Sequence, residues 1–90
     1  MIIYCPDNFE LLNKLRHDLI KVGYVDDEKW NKVQIKERKE FPLEYMYICE
    51  NNKIILYWSN YDHINLIITP SNYSEILQIL TDKIKNNESR

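Results

Sequence analysis

The stretch from Glu44 to Thr69, EYMYICENNKIILYWSNYDHINLIIT, constrains the fold more than any other part of the chain. Two apolar runs, Tyr45 to Cys49 and Ile54 to Trp58, flank Asn51-Asn52, and a third runs from Ile64 to Thr69. Together they read as a three-stranded meander. Asparagine tolerates positive φ, so Asn51-Asn52 can form a two-residue turn of the primed type. That turn pairs Glu50 with Lys53, Cys49 with Ile54, Ile48 with Ile55, Tyr47 with Leu56, Met46 with Tyr57 and Tyr45 with Trp58. The opposite charges beside the turn favour this register by about 0.2–1 kcal/mol.

Side chains alternate across a strand, so the register sorts them into two sets. Tyr45, Tyr47, Cys49, Ile54, Leu56 and Trp58 carry no charge and are expected in the core. Met46, Ile48, Glu50, Lys53, Ile55 and Tyr57 then form an outer face with four apolar side chains. At roughly 100 Å² each, these expose on the order of 400 Å², the size of the largest patch on many soluble monomers. That magnitude permits a binding face without requiring one.

Ninety residues suffice for one domain with a modest core. We expect a single domain over residues 1–84 and a polar, frayed tail over 85–90, KNNESR. A net charge of −2 argues against a nucleic-acid partner. No apolar run approaches the ~18 residues of a membrane span, and MIIYCPDNFE lacks the pattern of a signal peptide. Cys5 and Cys49 do not make a disulfide framework and read as small buried thiols, which points to the cytoplasm. With one Gly, no Ala and many Ile, Asn, Lys and Tyr, the composition is that of an AT-rich genome.

Met1 to Cys5 reads as a first strand, stopped by Pro6. Phe9, Leu12, Leu15, Leu19 and Val22 recur at helical spacing, so a helix is expected from about Asp7 to Val22, closed by Gly23. Between Lys29 and Lys39 five basic residues meet one acid, and Val33 and Ile35 alternate with polar neighbours. This predicts a short edge strand near Lys32 to Lys36, guarded by lysine. After Pro70, Ser71 or Asn72 caps a second helix with Tyr73, Ile76, Leu77, Leu80 and Ile84 as its apolar stripe. Ile2-Ile3-Tyr4-Cys5-Pro6-Asp7-Asn8-Phe9 echoes Ile67-Ile68-Thr69-Pro70-Ser71-Asn72-Tyr73. The echo fits either a common strand-to-helix turn chemistry or two like βα units, and in both cases places the helices on one sheet face.

The sequence contains no catalytic or cofactor motif. His17 and His63 read as solvated residues, and the cysteine and histidine spacings match no zinc pattern. A single glycine rules out a Gly-rich phosphate loop. Neither a cofactor nor a metal is expected. Basic residues near many tyrosines raise base stacking as an option, but Glu37 and Glu40 interrupt the run.

The segment PDNFELLNKLRHDLIKVGYVDDEKW, Pro6 to Trp30, resembles the opening of small accessory proteins of phages and prophages. Those begin with a strand and a helix ending in Leu-Gly-Tyr, with a Trp close behind. The matching residues are Leu15, Leu19, Val22, Gly23, Tyr24 and Trp30. The resemblance implies a binder of host defence or regulatory proteins rather than an enzyme.

The expected fold is α+β, a mostly antiparallel four- to five-stranded sheet with two helices packed on one face, in the order β-α-β-β-β-β-α. The expected function is non-enzymatic inhibition by docking on a host protein. Met46, Ile48, Ile55 and Tyr57 form the expected contact, with Lys36 and Arg38 as its charged rim. Alternatives are a nucleotide-sequestering protein at an oligomer interface, an antitoxin or immunity protein, and a homodimer through the open face.

Overall fold

The central hairpin turns through three residues, Glu50, Asn51 and Asn52, rather than two. In the computed structural model, which describes residues 1–88, Asn52 N–H donates to Cys49 O and Cys49 N–H to Lys53 O, both at 2.9 Å. Asn52 takes φ 63°, the left-handed conformation that asparagine accepts more readily than most residues. A turn followed by one left-handed residue is the usual three-residue hairpin loop. The longer loop moves β3 (Tyr45–Ile48) one residue against β4 (Lys53–Tyr57), pairing Tyr45 with Tyr57, Met46 with Leu56, Tyr47 with Ile55 and Ile48 with Ile54.

A one-residue slip exchanges the faces of a strand. Ile54 and Leu56 lie in the core as expected, but their partners there are Met46 and Ile48, not the tyrosines. Tyr45 and Tyr47 stand on the opposite face with Ile55 and Tyr57.

The fold is α+β. β1 (Ile2–Tyr4), α1 (Phe9–Lys21), β2 (Val25–Asp26) and α2 (Glu28–Lys36) precede the hairpin, and β5 (Leu66–Ile67) and α3 (Tyr73–Glu88) follow it. The sheet is mixed, in the order β2-β4-β3-β1-β5. β3 is antiparallel to both neighbours, whereas β2 with β4 and β5 with β1 are parallel pairs. The third run is therefore not the end of a meander. It crosses β3 and β1 to reach the far edge. α1 carries the chain from β1 to β2 across the core face, and the connection 58–65 carries it from β4 to β5 the opposite way. Tyr47, on the other face, places its hydroxyl 3.0 Å from Ser59 O and 3.1 Å from Asn60 Oδ1, which fixes that connection on the side away from the helices. Two crossovers in opposite directions on opposite faces share one hand, as parallel connections require.

α1 and α3 cover the core face. Leu12, Leu15 and Leu19 of α1 and Ile76, Leu80 and Ile84 of α3 pack on Ile3, Met46, Ile54, Leu56 and Ile68. Asn8 caps α1 by accepting from Leu11 N–H at 3.0 Å, and Gly23 follows the helix at φ 120°. β1 and β5, the strands of the internal echo, are parallel neighbours, each followed by a proline and a helix on the same face. The caps differ: the Asn72 side chain turns back, accepting from Thr69 N–H and donating to Ile67 O. Residues 85–88, expected to fray, continue α3, and 89–90 of the expected tail lie outside the described residues.

Residues near Lys32 to Lys36 are helical, not an edge strand. Asp27 caps α2 by accepting from Trp30 N–H, with Glu28 in the first turn and Lys36 in the last, as the helix dipole favours. The Val33/Ile35 alternation misleads because Val33 is exposed, while the buried residues of α2 are Asn31 and Gln34. Asn31 completes the sheet edge. β2 pairs with the first half of β4, and Asn31 then takes the place of a further strand. Its Nδ2 donates to Ile54 O at 3.0 Å and its Oδ1 accepts from Leu56 N–H at 2.8 Å. Trp30 Nε1 follows, donating to Leu56 O at 2.9 Å. Asn31 Nδ2 also reaches Asp26 Oδ1, and Arg16 of α1 grips both Asp26 oxygens, at 2.9 and 3.0 Å. One polar cluster thus ties α1, β2, α2 and β4 together.

Replacing Asn31 with Ala strands the buried Leu56 N–H, while Ile54 O keeps the Asp27 N–H at 3.3 Å, and is expected to cost about 1–3 kcal/mol in urea unfolding. The Arg16 guanidinium holds the Asp26 carboxyl below the usual carboxylate range, with Asn31 assisting against burial. A depressed folded-state pKa stabilises above the unfolded value near ~4 and loses that contribution as pH falls through the folded value. Asp26→Asn should therefore be less stable than wild type at pH 7, and the two stability curves should converge in acid.

Candidate functional site

The face away from α1 and α3 is built from alternate residues of the strands. Register aligns Ile67 of β5, Tyr4 of β1, Tyr45 of β3 and Tyr57 of β4 in one row across the sheet. Trp30 extends the row past β4, its ring stacked on Tyr57 at 5.7 Å. A second row holds Ile2, Tyr47 and Ile55. The rings stack on one another: Tyr4 on Tyr45 at 4.9 Å, Tyr47 on Tyr57 at 5.5 Å, and Trp58 on Tyr57 at 5.8 Å. Such pairs add about 0.5–1.5 kcal/mol each beyond burial, which holds the aromatic side chains in fixed orientations.

Within β1, β3, β4 and β5 this face carries one charged side chain, Lys53, whose Nζ lies 3.6 Å from Asp27 Oδ2. Its margins are apolar. Val25, Val33, Trp58 and Ile67 are all more than two-fifths exposed, and Phe41 packs on Trp58 at 4.9 Å. Val33 lies one turn from Trp30 on the same flank of α2. The connection 58–65 lies against Tyr47 and is braced by Asn60, whose Nδ2 donates to Asp62 O at 2.6 Å and whose Oδ1 accepts from Asp62 N–H at 3.1 Å. At its apex Tyr61 is 95% exposed.

The six residues expected to form the contact are not brought together. Met46 is sealed at 0% exposure and Ile48 is buried, because the register turns β3 over. Ile55 and Tyr57 do stand on the outer face, Tyr57 flanked by Trp30, Tyr47 and Trp58. Lys36 is exposed at the end of α2. Arg38 sits 4.7 Å over the Phe9 ring of α1 and donates to Ile35 O, so it serves the helical side and not the sheet face. The residues that do form the surface, Tyr4, Tyr45 and Tyr47, were legible as strand residues, but a register one residue off assigns the β3 pair to the core. Tyr61 gave no signal beyond lying in a polar turn.

The Tyr57 ring already has Trp30, Tyr47 and Trp58 stacked against it, and the one cation on the strands is paired. Base stacking needs free ring faces and a basic track for the backbone. His17 and His63 are exposed, Cys5 is buried and Cys49 half-buried, both as free thiols. Burial pushes the Cys5 thiol up. Among the described residues no three His, Cys, Asp or Glu side chains gather as a metal would require. None of the described helices is long and apolar enough to cross a membrane. Comparison of the chain with protein-family models, with curated proteins and with solved structures returned no match.

The two sides of β3 should differ sharply in cost. Met46→Ala opens a cavity in a sealed core and should lose about 2–5 kcal/mol in chemical denaturation. Tyr45→Thr keeps β-propensity and loses one stacked pair, and should cost about 0.5–1.5 kcal/mol.

Proposed function

We propose that the protein is a non-enzymatic binding module that docks on another protein through the tyrosine face. The observation that supports this reading most is the row Ile67, Tyr4, Tyr45, Tyr57 and Trp30 on the sheet face that no helix covers, exposed at its two ends and half-buried at the tyrosines between. Tyrosine and tryptophan are enriched at the energetic centres of protein interfaces, because they bring large rigid area and a polar tip at low entropy cost. Here mutual stacking has already fixed the rings, so little further ordering is left for binding to impose. Tyr61 adds a projecting aromatic that can enter a pocket on the partner.

In this proposal Tyr4, Tyr45, Trp30 and Tyr61 take the place of Met46 and Ile48, while Ile55 and Tyr57 remain in the contact set. Arg38 drops out of the rim. The resemblance to phage accessory proteins gives a partner class, a host defence or regulatory protein, and makes inhibition the outcome of docking.

Tyr45→Thr combined with Tyr61→Ser, immobilised beside wild type and offered lysate of a low-GC host, tests the reading. A partner held by wild type should bind the double variant at least ~100-fold more weakly, the loss of two interface anchors. Equal retention by both would place the docking surface elsewhere.

A further inference from the structure

Three tyrosine hydroxyls of the sheet face are unused within the chain. Tyr24 donates to Leu80 O, Tyr47 to Ser59 O and Asn60 Oδ1, and Tyr73 to Asp18. Tyr4, Tyr45 and Tyr57 have no such partner among the described residues. No buried side-chain oxygen or nitrogen among those residues lacks a partner, so these three half-buried side chains bring their hydroxyls to solvent. Each offers one donor and two acceptor lone pairs.

The charges that bear on these rings are acidic. Next to the Tyr4–Tyr45 pair, Glu44 Oε2 accepts from Asp7 N–H at 2.8 Å. Beside Tyr47, Asn60 Oδ1 accepts from both the Tyr47 hydroxyl and Asp62 N–H, each at 3.1 Å, which fixes the exposed Asp62 there. Among the described residues none of these three carboxylates is in an ion pair. Arg38 and Lys39 share a hollow of about 390 Å³ with Asp7 and Glu44 but pair with neither, and Arg38 is turned to the Phe9 ring and Ile35 O. Lys53 is offset by Asp27. Burial pushes the Tyr4 hydroxyl up, and Glu44, Tyr45 and Asp7 add to it; burial and then Asp62 do the same at Tyr47. No cation opposes the acids at either hydroxyl.

We infer that the tyrosine face takes a basic protein segment, with arginine side chains set against Glu44, Asp7 and Asp62 and hydrogen-bonded to the free tyrosine hydroxyls. This rests on the docking reading above and adds the chemistry of the partner. Arginine suits the site better than lysine, because its planar fork meets a carboxylate with two parallel N–H groups and its weak hydration lets it lie against aromatic rings. Acid at the margins also steers a basic partner inward and repels an acidic one.

The probe is a short capped peptide of alternating arginine and glycine, with citrulline and lysine versions beside it. In a nuclear magnetic resonance titration at low salt the arginine peptide should bind with a Kd on the order of 100 µM and shift the amides of β1, β3, β4 and the connection 58–65. The citrulline peptide, of the same shape without the charge, should bind at least ~10-fold more weakly, and the lysine peptide about 3-fold more weakly. Glu44→Gln with Asp62→Asn should weaken arginine binding about 3- to 10-fold, and Tyr45→Phe, which keeps the ring and loses the hydroxyl, about 2- to 5-fold. Glu75→Gln with Asp82→Asn removes the same charge from α3 and should leave binding within about 2-fold of wild type. No binding of the arginine peptide, equal binding of the citrulline peptide, or an equal loss in the α3 variant overturns the inference, the last because net charge alone would then attract the probe. A lysine peptide bound as tightly overturns the assignment to arginine. A lysate partner lost by Tyr45→Thr with Tyr61→Ser but kept by Glu44→Gln with Asp62→Asn overturns the basic partner and leaves the docking surface standing. The substituted side chains are all at least partly exposed, glutamine keeps an oxygen for Asp7 N–H, and circular dichroism of each variant checks the fold.

Discussion

Asn52 in the left-handed conformation is the constraint on which the arrangement of the sheet depends. It sets a three-residue loop, and the loop sets which β3 residue faces which residue of β4. Because strand side chains alternate, that choice decides whether tyrosines or Met46 and Ile48 enter the core. The core chose the aliphatic set. Met46, Ile48, Ile54 and Leu56 interdigitate with the leucines and isoleucines of α1 and α3. Tyrosine rings would have brought hydroxyls into that space, each needing a partner. On the outer face the hydroxyls keep access to water, and Tyr47 finds Ser59 and Asn60.

The polar cluster around Asn31 does for the β4 edge what the hairpin does for the centre. A buried primary amide matches a strand edge because it offers one donor and one acceptor side by side, as a peptide unit does. Arg16 and Asp26 brace it from α1 and β2, and the carboxylate carries its charge where a bidentate guanidinium answers it. On the opposite flank of α1, Lys14 and then Tyr73 hold the Asp18 carboxyl low, while burial and that carboxylate push the Tyr73 hydroxyl up. This pair joins α1 to α3. Polar contacts thus fix how the helices sit on the sheet, and apolar contacts supply the burial.

Much of this was legible in the chain. The helical periodicity of α1 and α3, the Asn8 cap of α1, the strand character of β1, β3 and β4, and the α+β class all follow from local pattern. What failed was what local pattern does not encode. Asn51-Asn52 permits both a two- and a three-residue loop, and the difference lies in whether Asn52 alone turns left-handed. α2 has no apolar stripe, since its buried residues are Asn31 and Gln34 and its value lies in hydrogen bonds to a strand distant in sequence. β5 joins β1 in parallel through a crossover that no short-range signal announces, although the echo between the two strand-Pro-helix units pointed toward it. A sheet face without helices was legible, but Met46 and Ile48 were assigned to it because that assignment inherited the register.

The account therefore stands on the pairing of β3 with β4. In the observed register Ile48 with Ile54 and Met46 with Leu56 are the close pairs without mutual backbone hydrogen bonds, since Cys49 and Lys53 form a hydrogen-bonded pair. Cross-strand Hα–Hα Overhauser effects in a nuclear magnetic resonance spectrum report those pairs directly. Strong contacts between Ile48 and Ile54 and between Met46 and Leu56 are the predicted result. Strong Hα–Hα contacts joining Cys49 to Ile54 and Tyr47 to Leu56, the close pairs of a two-residue loop, would return Met46 to the surface, put the tyrosines in the core, and remove the docking face altogether.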